Sequence, residues 1–210
     1  MTILWTACAF LSGSLMFSYW LGRMGRHNLK YVGDGNPGAL NLWKAAGYQL
    51  GLAGIILDFL KGYLILGWIF GFNLEHTRVQ GYAIIPIALA PVFGHAFSPF
   101  LKGKGGKAIA VTFGVWSALT RFEASLALAI ILAVGMAAAK LLARGRPTSP
   151  EADGLQVAFG MLLLGIYLYL GGYRNAILWV WLGNFALISF KHRKELAFFL
   201  KKKHAEPGGE

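Results

Sequence analysis

Three lysines and a glycine pair, in the order Lys102-Gly103-Lys104-Gly105-Gly106-Lys107, form the segment of this chain best suited to chemistry. Glycine leaves backbone N–H groups open, and ammonium groups gathered at one point add charge. Proteins hold phosphates in this way. The segment lies between the apolar runs 79–101 and 108–120, so a phosphate held there would sit at a membrane surface. That points to an enzyme or a transporter handling phosphorylated compounds at a bilayer. Anchoring of a cytoplasmic loop by lysines is the plainer alternative. The segment is no Walker A loop, because Ala108 follows Lys107 where magnesium would need a Ser or Thr.

Other polar residues stand out against the apolar background. Gly33-Asp34-Gly35-Asn36-Pro37-Gly38 matches G-x-G-x-x-G but lacks the strand and βαβ unit of a dinucleotide site. Asp-Gly and Asn-Pro make it a turn, while Asn36, Asn41 and Lys44 crowd donors around open backbone. Asp58 and Lys61, at i and i+3 in an apolar run, share a helix face and can pair. In lipid each would cost roughly 2.5–3.5 kcal/mol or more. They are therefore expected to line a polar cavity or to form a structural ion pair. His95 falls seven to twelve positions before the lysines, either as a hydrogen-bonded interior residue or as a catalyst. Ser14, after Gly13, is a weak signal. His192-Arg193-Lys194-Glu195 reads either as a site element or as a basic cluster meeting anionic lipid. No cofactor and no metal site is expected.

These residues must be positioned by membrane helices. The 210 residues are 56% apolar and only 14% charged, with mean hydropathy +0.54, where soluble domains carry about 25% charge. Seven Trp, eight Tyr and fifteen Phe suit interfacial belts. A net charge of +11 could suggest nucleic acid, but its placement argues for a membrane and no nucleic-acid partner. Residues 1–22 are uncharged, and Arg23 and Arg26 follow them, the reverse of a secretory signal. This reads as a retained span with its N-terminus outside. The further runs are 46–71, 79–101, 108–120, 124–139, 154–173 and 175–190. With seven spans, only Arg78, Arg121 and Arg174 fall outside. The basic residues of 23–44, 102–107, 140–146 and 191–203 fall inside, as positive charge should. If 108–139 were one kinked span, the basic tail would lie outside. The expectation is therefore an all-α integral membrane protein with seven transmembrane helices and a cytoplasmic C-terminus. Residues 1–200 would form one domain and 201–210 a charged tail. The GxxxG pairs Gly47/Gly51 and Gly67/Gly71 are given no functional weight. Cys8, the single cysteine, cannot form an internal disulfide.

Taken in order, these segments resemble one family. Gly13-Ser14, Gly33-x-Gly35-Asn36-x-Gly38-Ala39-x-Asn41, Asp58-x-x-Lys61-Gly62, Gly94-His95-x-Phe97-x-x-Phe100 leading to Lys104-Gly105-Gly106-Lys107, and His192-Arg193 are similar to the bacterial acyl-phosphate:glycerol-3-phosphate acyltransferases (PlsY). The resemblance implies transfer of a fatty acyl group from acyl phosphate to glycerol 3-phosphate, giving 1-acylglycerol 3-phosphate and phosphate. This would be the first step of membrane phospholipid synthesis, at the bacterial inner membrane with the site facing the cytoplasm. Lys104 and Lys107, with Gly105 and Gly106, would neutralise the leaving phosphate. Asn36, Asn41 and Lys44, beside Gly35 and Gly38, would hold the second phosphate or the acceptor, and Ser14, Arg193 and Glu195 would bind phosphate or substrate with them. His95, His192 or a substrate phosphate oxygen would be the base.

The chain departs from the family pattern at several of these positions. The family usually has Ser at Asp34, Thr at Leu40, Arg at Lys44, Asn at Glu195 and Gly at Ala108. Two extra carboxylates at an anion site need a basic neighbour such as Lys102, or else a less anionic acceptor. The alternatives are a same-fold acyltransferase with a different alcohol acceptor and a non-enzymatic membrane transporter or lipid-binding protein.

Overall fold

Long apolar runs interrupted by glycine, proline and paired basic residues give a chain of helices with short turns. The computed structural model describes residues 1–72, 79–144 and 149–198. The described residues form eight α-helices: α1 (Thr2–Ser14), α2 (Phe17–Met24), α3 (Ala39–Phe70), α4 (Ile84–Ala96), α5 (Ile109–Thr120), α6 (Glu123–Leu142), α7 (Pro150–Leu170) and α8 (Asn175–Lys191). The described residues contain no strand. The basic tail expected at 201–210, Arg78 and Arg146 lie outside the described residues.

Among the described residues, five segments are long and apolar enough to cross a membrane: Thr2–Met24, Ala39–Phe70, Gly81–Leu101, Glu123–Leu142 and Glu151–Leu170. The sequence count was seven. α5, with 12 residues, and α8, with 17, fall short of that length. The burial of α5 explains its shortness. Val111, Thr112, Gly114 to Thr120 are all buried, so its backbone ends meet protein rather than lipid. α5 and α6 are separate helices, parted at Arg121 and Phe122, both at positive φ, and not one kinked span.

The first apolar run is broken, which its sequence did not signal. Leu15 is extended (φ −63°, ψ 122°) between α1 and α2. The second run is helical from Ala39 rather than 46, with a bend at Gly47 (φ 82°, ψ 179°). Helix crossings use other glycines than the two GxxxG pairs. A Cβ on Gly13 would collide with the Pro91 carbonyl, and one on Gly94 with the Phe10 carbonyl, so α1 and α4 touch backbone to backbone. Gly62 and Gly114 do the same for α3 and α5, against Val111 and Phe59. Such close approach is what small residues provide in a membrane, where apolar contact alone gives helices little reason to associate.

Buried polar groups tie the remaining helices. Trp116 Nε1 donates to Asn184 Oδ1 (2.9 Å), and Asn184 Nδ2 donates to Thr112 Oγ1 (3.1 Å), joining α5 to α8. Gln156 Nε2 donates to the Leu132 carbonyl (2.6 Å), and Trp181 Nε1 to that of Met161 (2.6 Å). Model membrane systems give each such bond about 0.6–2 kcal/mol.

Candidate active site

The break after α1 frees a carbonyl that the site uses. The last carbonyls of a helix have no partner within it, and Lys61 Nζ donates to that of Leu15. The same ammonium lies 2.8 Å from Asp58 Oδ1 and 2.7 Å from His95 Nδ1. Ser18 Oγ, on α2, donates to Asp58 Oδ2 (2.5 Å). Asp58, Lys61 and His95 are 1%, 5% and 3% exposed, so the helices packed around them enclose all three. α1–α2, α3 and α4 thus meet at one buried ionic knot. Ser14 lies outside it. Its hydroxyl donates to the Phe10 carbonyl and its carbonyl accepts from Ser98 Oγ, which fixes the end of α1.

The lysine–glycine segment folds over the end of α4. Gly106 N–H donates to the His95 carbonyl (3.1 Å). A Cβ on Gly105 would strike that carbonyl, and one on Gly106 would strike His95 Nε2. Lys191 Nζ clamps the turn by donating to the Ala96 (2.9 Å) and Gly105 (3.1 Å) carbonyls. This corrects the picture of bare glycine amides awaiting phosphate. Both glycines are buried and the Gly106 amide is already used, so the glycines serve to let the turn lie against His95. Lys102 and Lys104 are exposed.

Lys107 is not free. Its ammonium lies 2.8 Å from Asp34 Oδ2 and 2.5 Å from Glu195 Oε1. The expected neutralising residue, Lys102, is replaced in that role by Lys107. Asn41 Nδ2 donates to Asp34 Oδ1 (2.8 Å) and to the Asn36 carbonyl (3.0 Å), while Asn36 Oδ1 accepts from Gly38 N–H (3.0 Å). The G-x-G-x-x-G turn is therefore laced by its own side chains. Burial raises the Asp34 and Glu195 carboxyls, but Lys107 outweighs it and both titrate below their ordinary values. Burial lowers Lys107, yet its two carboxylates win and hold it above the ordinary value. His192 lies behind Glu195 with neither ring nitrogen hydrogen-bonded. Burial, then the Lys107 charge, pushes it down to about 4, against weaker opposition from Glu195 and Asp34.

A cavity of about 320 Å³ joins the two clusters. Asp34, Asn36, Asn41 and Lys107 line it, as do Asp58 and His95. Leu40, Trp43, Ile55, Ile109 and Phe113 make an apolar wall. Gly38 lines it too, while Gly35 (φ 73°) shapes the turn behind. Lys44, Lys104, His192, Arg193 and Glu195 do not line it. Lys44 is exposed, and Arg193 caps the Phe190 carbonyl (2.8 Å). A hollow of about 590 Å³ at Glu123, Tyr167, Tyr173 and Arg174 holds none of the candidate site residues.

The family model for glycerol-3-phosphate acyltransferase matches residues 3–202. The chain is 41% identical over 196 residues to glycerol-3-phosphate acyltransferase 1 of Thermotoga maritima, covering 91% of this chain and 94% of that one. It is 29% identical to the Streptococcus pneumoniae glycerol-3-phosphate acyltransferase over 93% of this chain and 88% of the relative. Two crystal structures of PlsY (YgiH), an integral membrane glycerol 3-phosphate acyltransferase, share the fold. The glycerol 3-phosphate form has a TM-score of 0.79 at 26% identity, and the lysophosphatidic acid form 0.78 at 25%. Each comparison covers 96% of this chain and 92% of the other. The chain therefore belongs to the glycerol-3-phosphate acyltransferase family and is an integral membrane acyltransferase.

Proposed function

We propose that this protein transfers a fatty acyl group from acyl phosphate to the hydroxyl of glycerol 3-phosphate, giving lysophosphatidic acid and phosphate. The observation that carries the reading is the single cavity in which Asn36, Asn41 and Lys107 face an apolar wall of Leu40, Ile55 and Phe113. Such a space suits a molecule with a phosphate at one end and an alkyl chain at the other. The family's activity and the glycerol 3-phosphate and lysophosphatidic acid forms of PlsY support the same acceptor and product. Acyl phosphate is a mixed anhydride. The acceptor oxygen bonds to the carbonyl carbon, the carbon–oxygen bond to phosphate breaks, and the hydroxyl proton passes to a base. Alignment and charge neutralisation supply most of what this reaction needs. Lys107 exchanges its carboxylates for phosphate, and Lys104 brings a second ammonium to the same turn. His192, behind Glu195 and outside the cavity lining, is poorly placed as base, which favours a substrate phosphate oxygen.

In this reading α5 and α8 complete seven membrane crossings. The N-terminus is outside, and the site opens to the cytoplasmic side of the bacterial inner membrane, among the lipids that take the product. The positive charge of loops 23–44 and 102–107 supports that orientation. A second reading, another alcohol as acceptor, is favoured by one observation. Asp34, Glu195 and Lys107 together leave one negative charge where an anion is to bind. Phosphate release from palmitoyl phosphate by purified protein, with and without glycerol 3-phosphate, tests both. Release that requires glycerol 3-phosphate supports the first. Release stimulated by uncharged alcohols and not by glycerol 3-phosphate supports the second.

A further inference from the structure

The inference concerns His95 and deepens the reading just given, on whose substrates it rests. Lys61 must be an ammonium. As a neutral amine it would leave the Asp58 carboxylate buried with the Ser18 hydroxyl as its hydrogen-bond donor and His95 Nδ1 no nearer than 3.9 Å. An ammonium has no acceptor lone pair. At 2.7 Å from His95 Nδ1 it can only donate, so Nδ1 carries no hydrogen. A ring nitrogen's partner fixes the tautomer of the whole ring. The remaining hydrogen is then on Nε2. Protonating Nδ1 would set two donors against each other beside Lys61, with Lys191 of α8 close to the same end of α4.

Nε2 is also the atom left open. His95 lines the cavity although its side chain is only 4% exposed, and among the described residues its Nε2 makes no hydrogen bond. The ring can lie this close to the turn, with one edge in the cavity lining, because residue 106 is glycine. A Cβ there would collide with that nitrogen. One residue further on is Lys107, the cation at the cavity. A donor in a buried cleft beside a cation is the arrangement that stabilises an oxygen gaining negative charge. We propose that His95 is a catalytic hydrogen-bond donor through Nε2–H to the acyl carbonyl oxygen, and not a general base. Lys61 and Asp58 are positioning residues that hold its tautomer. During the step His95 neither gains nor loses a proton. The carbonyl oxygen takes up the electron pair as the acceptor oxygen bonds, and returns it as phosphate departs.

Two measurements on the full chain in detergent micelles test this. The first compares His95→Gln with His95→Ala in phosphate release from palmitoyl phosphate plus glycerol 3-phosphate. Gln keeps an N–H donor of similar reach and cannot act as a base at neutral pH. Loss of the donor in His95→Ala is expected to lower kcat by about 10²–10³-fold, while His95→Gln stays within about tenfold of the parent chain. Equal inactivity of two variants that both melt as folded proteins overturns the proposal. The second is ¹⁵N NMR of histidine-labelled protein, with His95 assigned among the five histidines by its loss in His95→Gln. An Nε2–H tautomer unchanged from about pH 5.5 to 8 is expected, with titration appearing in Lys61→Met. An Nδ1–H tautomer, or an imidazolium forming in that range, overturns it. The NMR result does not depend on turnover. If the parent chain shows no release with glycerol 3-phosphate, the substrate reading fails, and the spectrum still decides the tautomer.

Discussion

Glu195 Oε1 lies 2.5 Å from Lys107 Nζ, across 88 positions of sequence. Two carboxylates, Asp34 and Glu195, end on that one ammonium. Substrate phosphate must therefore compete with them for Lys107. The double change Asp34→Ser with Glu195→Asn shifts the local charge from −1 to +1. A phosphate on that ammonium would sit within a few ångströms of both carboxylates, so removing them relieves a direct repulsion that salt screens only in part. KM for glycerol 3-phosphate is expected to fall several-fold, with a steeper salt dependence. Steady-state kinetics at two ionic strengths check this. An unchanged KM would place acceptor binding away from Lys107.

The Lys104 ammonium differs from that of Lys107 in having no hydrogen bond or ion pair among the described residues, and it is exposed at the same turn. Its ammonium is available without displacing anything. Lys104→Ala removes a charge-assisted hydrogen bond to phosphate, worth about 1.5–3 kcal/mol, so turnover should drop roughly ten- to hundred-fold. The folded state should be unaffected. Turnover equal to the parent chain's would remove Lys104 from the mechanism.

How far these features could be read from sequence depends on range. The pairing of Asp58 with Lys61 is a local property of helix spacing, and it is found. That both approach His95 is foreseeable only as a requirement for a polar interior. The partners that complete the knot are not foreseeable. Ser18 and the Leu15 carbonyl depend on a break inside an uninterrupted apolar run. Lys191 reads as one more anchoring charge, and its role appears only once α8 is docked against α4. Gly105 and Gly106 show the limit most clearly. Their composition signals close approach, and the approaching partner turns out to be His95 itself. Asn184, a lone amide in an apolar run, was missed although a buried amide in a membrane helix needs partners. Trp116 and Thr112 supply them.

The ionic knot makes a prediction about stability. Lys61→Met leaves Asp58 charged, buried and paired only with Ser18, and breaking a buried pair from one side costs about 3–5 kcal/mol. The double change Asp58→Asn with Lys61→Met removes both charges and should recover much of that loss. Activity should not return with it, because Lys61 also sets the donor face of His95. Thermal melting and turnover of the three proteins check the two halves separately. If melting recovers and turnover recovers too, the knot is purely structural.

His192 gives a pH dependence of definite sign. Its ring is buried without hydrogen-bond partners, and its folded value of about 4 lies below the ordinary 6.5. The unfolded chain takes up this proton below pH 6.5, while the folded chain refuses it until about 4. Unfolding therefore binds a proton across that window, and stability falls as pH falls through it. Asp34 and Glu195 act lower. Their folded values are depressed, so their contribution is intact above the ordinary 3.8 and 4.5 and is lost only as pH falls further. Lys107, raised above 10.5, adds nothing to the slope near neutrality. Between pH 6.5 and 4.5, then, His192 is the group of this cluster that weakens the fold. His192→Leu removes its titration. The melting temperature of the parent chain should decline on acidification through that window more steeply than that of His192→Leu. The difference between the two curves isolates His192 from every other histidine. Parallel curves would mean that water reaches the His192 ring in the folded protein and lets it take up its proton near the ordinary value.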